Sequence, residues 1–381
     1  MGPLKENFMS RMVMGKNISA QVLTLFFLFA LALPCYGGVI FEDNFDAHPD
    51  WNTAGQYEGN ECSPLGVGAP SENICASNTY PPNWSAYRSV PGTSGLSPVA
   101  SIGRPPDNAD HTTGTGKAAI IRQESVNGVN FPGDGFIQKY LGAEYNELYI
   151  QFWFKAQKGW QFDPSGDGYF KMFRVSRKYN LASNWFDLFT PGVRPSPGYI
   201  TDPKHSNTYG WRHTDNLRGY PDDGGTIWYG VCTDTSQYNG RTVCNYGLDA
   251  IEDPYDYSNP NISWSAPGQL LDGTWHRMSY RLKMNDVGVA NGILQWWMDG
   301  ILKTNATRLT WIGSSGNAVG FNMFAIGGNS NNTFSPSTPA EQWYAIDDVV
   351  VSTTPIPDDY VPGGGTHDTT APSAPTRLRL R

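Results

Sequence analysis

Between Arg277 and Lys283 the chain changes character at every residue: Met278, Tyr280 and Leu282 alternate with Arg277, Ser279, Arg281 and Lys283. An apolar residue at every second position marks a strand with one dry face and one wet face. Similar runs, rich in aromatic and β-branched residues and separated by Gly, Asn, Asp or Pro, recur at 118–122, 148–155, 169–176, 226–232, 275–284, 292–298, 319–326 and 343–352. Helical periodicity over three turns appears nowhere after residue 37. Asp299-Gly300 predicts a tight hairpin turn, and strands that turn this way belong to antiparallel sheets.

Composition agrees with an all-β reading. The 381 residues include 18 Phe, 13 Trp, 20 Tyr, 42 Gly and 28 Pro, and only 16% are charged. A coiled coil, a helical bundle and a charge-driven disordered chain are excluded, because each needs far more Ala, Leu, Glu and Lys or far fewer aromatics. The formal charge of −8 argues against a binder of the phosphate backbone, so nucleic acid is not an expected partner.

The first 37 residues read differently from the rest. Lys5, Arg11 and Lys16 precede an uncharged apolar run at 22–33, which ends in Pro34-Cys35-Tyr36-Gly37. That is the order of a secretory signal, with cleavage expected after Gly37, and the run is short for a membrane span. The expectation is a secreted, periplasmic or cell-surface protein with no transmembrane segment in the mature chain. Residues 38–352 read as one domain, since strands recur without a linker until Pro355. Residues 47–115 and 198–225 read as long loops. The Pro/Gly/Thr-rich stretch 353–381 reads as a tail without a fixed fold.

Four cysteines follow the signal: Cys62, Cys75, Cys232 and Cys244. An even number in an exported chain predicts two disulfides, and the close spacing within each pair favours Cys62–Cys75 and Cys232–Cys244. A zinc site is the runner-up, although neither pair has the short gap that structural zinc prefers.

Several segments resemble the concanavalin A-like lectin/glucanase superfamily, and within it the jelly-roll polysaccharide lyases and laminin-G-like modules. They are Phe41-Glu42-Asp43-Asn44-Phe45, Leu148-Tyr149-Ile150-Gln151-Phe152-Trp153-Phe154-Lys155, Gly273-Thr274-Trp275-His276-Arg277, Trp297-Met298-Asp299-Gly300 and Ile346-Asp347-Asp348-Val349-Val350-Val351. The resemblance implies a jelly roll, two stacked antiparallel sheets with a groove on one of them that suits an extended glycan. Such a fold does not fix the chemistry, since these proteins include lectins, hydrolases, lyases and adhesion modules. The row Tyr149, Gln151, Trp153 and Lys155 is the candidate groove face, and Leu148, Ile150, Phe152 and Phe154 form the core face.

Glycoside hydrolysis needs two carboxyl groups flanking the scissile bond. No strand carries the Glu-x-Asp-x-(x)-Glu run of the laminarinases and agarases, so hydrolysis of that type is disfavoured. Elimination from a uronic acid instead needs a group that neutralises the C6 carboxylate and a base that removes the C5 proton. The candidates are Arg174 or Arg212 to neutralise and His213 or Tyr229 as base, with Gln151, Trp153, Lys171, His205 and Trp211 binding substrate. The expected partner is an extracellular polysaccharide, cleaved by a lyase of acidic glycans or held by a non-catalytic carbohydrate-binding or adhesion module. Trp296 and Trp297 must face opposite sides of their strand, so one is core and only the other can stack on a sugar.

No organic cofactor is expected. The resemblance to laminarinase-like proteins implies a structural calcium ion, with Glu42 of the opening strand and Asp347 of the final strand among its oxygen ligands.

Overall fold

A computed structural model describes residues 38–53, 61–63, 73–74, 81–90, 100–107, 111, 116–124, 133–161, 168–177, 198–206, 210–219, 227–230, 237–238, 241–242, 270–309, 312, 318–331 and 341–364. Among these residues there is no α-helix.

Two large sheets carry the fold. The nine-stranded sheet runs in the order Ile301–Leu309, Gly292–Met298, His276–Lys283, Glu147–Ala156, Glu341–Ser352, Ala118–Glu124, Ala100–Gly103 and Trp51–Asn52, with Val39–Asp43 paired to Glu341–Ser352. The ten-stranded sheet runs Ile227–Gly230, Gly210–Gly219, Gly198–Ser206, Gly168–Phe170, Phe321–Asn331, Gly133–Tyr145, Ala86–Val90, Glu61–Ser63 and Asn73–Ile74. Its tenth strand, Phe173–Ser176, pairs with both Gly198–Ser206 and Phe321–Asn331. Every pairing in the two large sheets is antiparallel except the short one between Glu61–Ser63 and Asn73–Ile74. The fold class is the antiparallel β-sandwich of a jelly roll.

The core lies between the sheets and is built from the dry face of each strand. Leu148, Ile150, Phe152 and Phe154 are buried, as are Met278, Tyr280 and Leu282 on the neighbouring strand. Aromatic rings join the two layers: Phe152 lies 5.4 Å from Phe173 and Tyr344 lies 4.9 Å from Phe170, centroid to centroid. Rings of this size remove large apolar areas from water, each at roughly 1.5 to 3 kcal/mol. Trp296 is the core member of its pair, 1% exposed and stacked on Tyr280, while Trp297 belongs to the opposite face.

The hairpin at Asp299-Gly300 forms as its sequence predicts, with φ of 52° and 77° and Met298 opposite Ile301. Two positive φ values in a two-residue turn match the right-handed twist of the flanking strands.

Several segments differ from the sequence reading. The stretch 47–115 contains the strands Trp51–Asn52, Glu61–Ser63, Asn73–Ile74, Ala86–Val90 and Ala100–Gly103. The stretch 198–225 is not a loop, since Gly198–Ser206 and Gly210–Gly219 pair along nine positions from Gly198↔Arg218 to Ser206↔Gly210. Polar strands of this kind are held by backbone ladders, and their side chains carry no apolar alternation to reveal them. The run 169–176 is broken at Lys171-Met172 into two strands. Residues 353–364 are placed against the sandwich: Tyr360 donates to Glu42, Gly363 N donates to Glu42 Oε1 at 3.2 Å, and Arg277 pairs with Asp358 at 2.9 Å.

Asp347 and Asp348 are adjacent, and a regular strand would send them to opposite faces. Here the register jumps from Asp347↔Trp153 to Val350↔Gln151, and Asp348 adopts φ 48°. This bulge turns both carboxylates to one partner. Asp347 Oδ2 accepts from His111 N at 3.3 Å, and Asp348 Oδ2 lies 2.9 Å from His111 Nδ1.

Candidate functional site on the ten-stranded sheet

Phe173 and Val175 of Phe173–Ser176 enter the core, so the strand's pleat sends Arg174 and Ser176 to the face away from it. Arg174 is in register with Ala325, which is in register with Gln138 and, beyond it, Ala86. One residue pair further, Ser176 opposes Met323 and Met323 opposes Tyr140. Arg174, Ser176, Gln138 and Tyr140 therefore share one face across three neighbouring strands.

Around Arg174 that face is covered. Phe136, Met323 and Ala325 cluster there and are buried, and Arg174 and Gln138 are each 5% exposed. The Arg174 guanidinium lies 5.4 Å from the Phe136 ring centroid, a cation over an aromatic face. Gln138 Nε2 lies 2.6 Å from Met323 Sδ.

Gly328 makes room for the guanidinium, and Gly327 lets the neighbouring strand approach. Where Gly168–Phe170 gives way to Phe173–Ser176, the partner strand carries one residue more, at Gly327-Gly328, with φ 93° and 149°. A Cβ at Gly327 would overlap Gly135 O, and one at Gly328 would overlap Arg174 and Lys171. Only glycine permits this conformation together with this close approach.

The sequence candidates divide between two faces. Arg174 lies on the covered face of the ten-stranded sheet, and Lys171 lies at the break beside it, its carbonyl accepting from Tyr344 Oη at 2.8 Å. On the same sheet, the backbones of His205 and Trp211 are paired, Arg212 opposes Lys204, His213 opposes Pro203 and Tyr229 opposes Leu217. Arg174's own row runs through Ile200 and Asn216 to Gly230.

Gln151 and Trp153 belong to the nine-stranded sheet and face away from the same core, on the opposite outer side of the sandwich. Gln151 is buried beneath its neighbours, and Trp153 is capped by the His111 ring at 3.6 Å. They do not share a cleft with Arg174.

Cys62 is placed within Glu61–Ser63, but Cys75, Cys232 and Cys244 lie outside the described residues, and with them both expected disulfides. Among the described residues no group of three or more His, Cys, Asp or Glu gathers to hold a metal. Glu42 accepts from Tyr360 and Gly363, while Asp347 accepts from Asp348 N at 2.8 Å and from His111 N. Burial and the neighbouring Asp348 charge push the Asp347 carboxyl well above its usual range. Calcium stays a proposal.

Gln138 and Tyr140 lie on Gly133–Tyr145, a strand that the sequence marks only weakly. Its signal is the alternation of Phe136, Gln138 and Tyr140 with Ile137, Lys139 and Leu141, diluted by glycines at 133, 135 and 142.

No family model matches this chain. No curated protein matches its sequence. Among solved structures it is similar to an endo-β-1,4-glucuronan lyase from the fungus Trichoderma reesei, at 15% identity over 72% of this chain and 92% of that one, with a TM-score of 0.44. It is also similar to a marine alginate lyase from Aplysia kurodai, at 11% identity over 66% and 86% with a TM-score of 0.36. A third likeness is to the cellulose-induced protein Cip1, at 9% identity over 82% and 97% with a TM-score of 0.35. No helix among the described residues is long and apolar enough to cross a membrane.

Proposed function

We propose that this is an exported polysaccharide lyase that cleaves an acidic, uronate-containing glycan by β-elimination on the outer face of the ten-stranded sheet, reached where Tyr140 and Lys171 are only partly buried. The observation that carries the reading is the buried Arg174 guanidinium, seated over Gly328 on the face away from the core and in one row with Gln138.

A guanidinium held in a low-dielectric site is a strong, preoriented partner for a carboxylate. In the proposed reaction Arg174 pairs with the C6 carboxylate of the uronate and Gln138 donates to the same group. Neutralising that charge makes the C5 proton acidic and stabilises the negative charge that develops as it leaves. A base takes the C5 proton. The C5–H electrons form the C4=C5 double bond, the C4–O bond breaks, and the departing glycosidic oxygen takes up a proton.

Tyr140 is the base favoured by position, two residues from Gln138 on the same face. Arg212 keeps Arg174's parity through Asn216 and is the second neutralising group, whereas the register sets Tyr229 in Val175's row through Leu217 and Tyr199, and His213 at the same alternate parity, so both are weaker choices of base than Tyr140. The test is the ultraviolet absorbance of the unsaturated product on a panel of uronate polysaccharides. A panel that yields no unsaturated product sinks the lyase reading.

A further inference from the structure

The other outer side of the sandwich is divided in two. Around Glu341–Ser352 it is covered: Ala118, Ile120, Trp343 and Ala345 are buried there, His111 lies on Trp153, and Trp275 meets His111 edge-on at 6.1 Å. The half formed by Glu147–Ala156, His276–Lys283, Gly292–Met298 and Ile301–Leu309 is reached by solvent around Arg281 and Glu147, whose side chains are 30% and 29% exposed, while Arg277 at its border is buried and held by Asp358.

Two rows cross this half. Tyr149, Arg281, Gln295 and Asn305 stand opposite one another along four adjacent strands. The next row contains Ser279 and Trp297. At strand spacings near 4.8 Å, the first row extends about 14 Å.

The row is knitted by directional bonds. Arg281 Nε donates to Glu147 at 2.7 Å, Arg281 Nη1 donates to Gln295 Oε1 at 3.4 Å, and Gln295 Nε2 donates to Asn305 Oδ1 at 2.7 Å. These bonds fix the amides side by side, and the Asn305 NH2 is left as the donor end of the chain. Charge is settled within the row, because Glu147 takes the Arg281 guanidinium. Trp297 lies beside these groups, half-buried, and no hydrogen bond or ring contact among the described residues engages its indole.

A partly exposed indole flanked by a line of oriented amide and hydroxyl groups, in a row whose charges are paired, suits a neutral sugar chain. The apolar face of a pyranose ring stacks on indole, and ring hydroxyls exchange hydrogen bonds with amides. An anionic chain would meet no uncommitted guanidinium in this row, while a neutral one pays no charge-desolvation cost. We propose that this face is a second, non-catalytic site that holds a neutral, extended polysaccharide, with Trp297 as the platform and Gln295, Asn305 and Ser279 as hydrogen-bonding partners. It lies across the sandwich from Arg174, so the protein would be held on a neutral polymer while the acidic chain is cut on the far sheet.

The test is sedimentation of the full chain with microcrystalline cellulose, an insoluble neutral β-1,4-glucan, for the unaltered protein, Trp297→Ala and Trp297→Tyr. Thermal midpoints check that each variant folds. Elimination is followed in parallel on a short soluble uronate oligosaccharide. The expected result is retention of the unaltered protein, about tenfold weaker retention of Trp297→Ala, recovery in Trp297→Tyr and unchanged elimination. Lack of retention of the unaltered protein, or equal retention of the alanine variant, overturns the site. A matching loss of elimination in Trp297→Ala also overturns it, because Trp297 would then serve the reacting glycan. Trp297-dependent retention with no elimination in any variant would overturn the lyase reading and leave this one standing.

Discussion

His276 Nδ1 lies 2.7 Å from Asp299 Oδ2, and its Nε2 lies 3.2 Å from Asp272 Oδ1, so one buried imidazole joins the turn before its own strand to the Asp299-Gly300 hairpin that follows the next strand. Burial works to lower the His276 pKa, but the Asp299 and Asp272 carboxylates outweigh it and raise the value. The folded protein then binds this proton more tightly than the unfolded chain does. The stabilisation is whole below the ordinary histidine value of 6.5 and is lost as pH rises through the raised folded value. The midpoint gap between the unaltered protein and His276→Gln should therefore be widest in mild acid and shrink in mild alkali. A gap that is constant with pH would show that the ion pair contributes nothing.

Arg174→Lys keeps a cation but loses the planar fork that pairs with a carboxylate through two bonds. Elimination should fall on the order of 100-fold, measured at a temperature well below the variant's own thermal midpoint so that lost packing does not contribute. Rates that match the unaltered protein would remove Arg174 from the reaction.

Trp296 and Trp297 are neighbours with opposite environments, and denaturant unfolding should separate them. Trp296→Ala empties a core position and should cost about 3 to 5 kcal/mol. Trp297→Ala should cost about 1 kcal/mol or less. Equal losses would contradict the facing given to this strand.

Gly327→Ala should destabilise by at least about 1 to 2 kcal/mol, since the left-handed conformation disfavours any side chain and this one would overlap Gly135 O. A variant with an unchanged midpoint would mean that the strand can move to admit a methyl group, and that the seat of Arg174 is not fixed by it.

The disulfides Cys62–Cys75 and Cys232–Cys244 are expected from spacing, each contributing roughly 2 to 4 kcal/mol by closing its loop. Peptide mapping without reduction checks them: recovery of Cys62 joined to Cys232 or Cys244 would refute the pairing.

Much of the nine-stranded sheet is legible in the sequence. The alternation in Leu148–Lys155 and Arg277–Lys283 names the core residues correctly, because burial of one face leaves a period of two in the sequence. The site was far less legible. Gln138 and Tyr140 lie on a glycine-diluted strand whose pattern is weak, and Gly198–Ser206 and Gly210–Gly219 carry too few apolar residues to announce themselves. Tyr149, Gln151, Trp153 and Lys155 were given the correct parity but could not be assigned to a sheet.

By itself the sequence determined what local sterics decide: strands and not helices, which residues of each strand turn inward, and the Asp299-Gly300 hairpin. These depend on neighbours one to four residues away, so the pattern is complete within each segment. Only the tertiary structure decided which strands lie side by side. That pairing sets Arg174 beside Ala325 and Gln138, puts Gln151 and Trp153 on the opposite outer face, and bulges the last strand so that Asp347 and Asp348 meet one histidine. A period-two pattern reads the same in either sheet, and the register between distant strands is fixed by long-range packing that no single segment encodes.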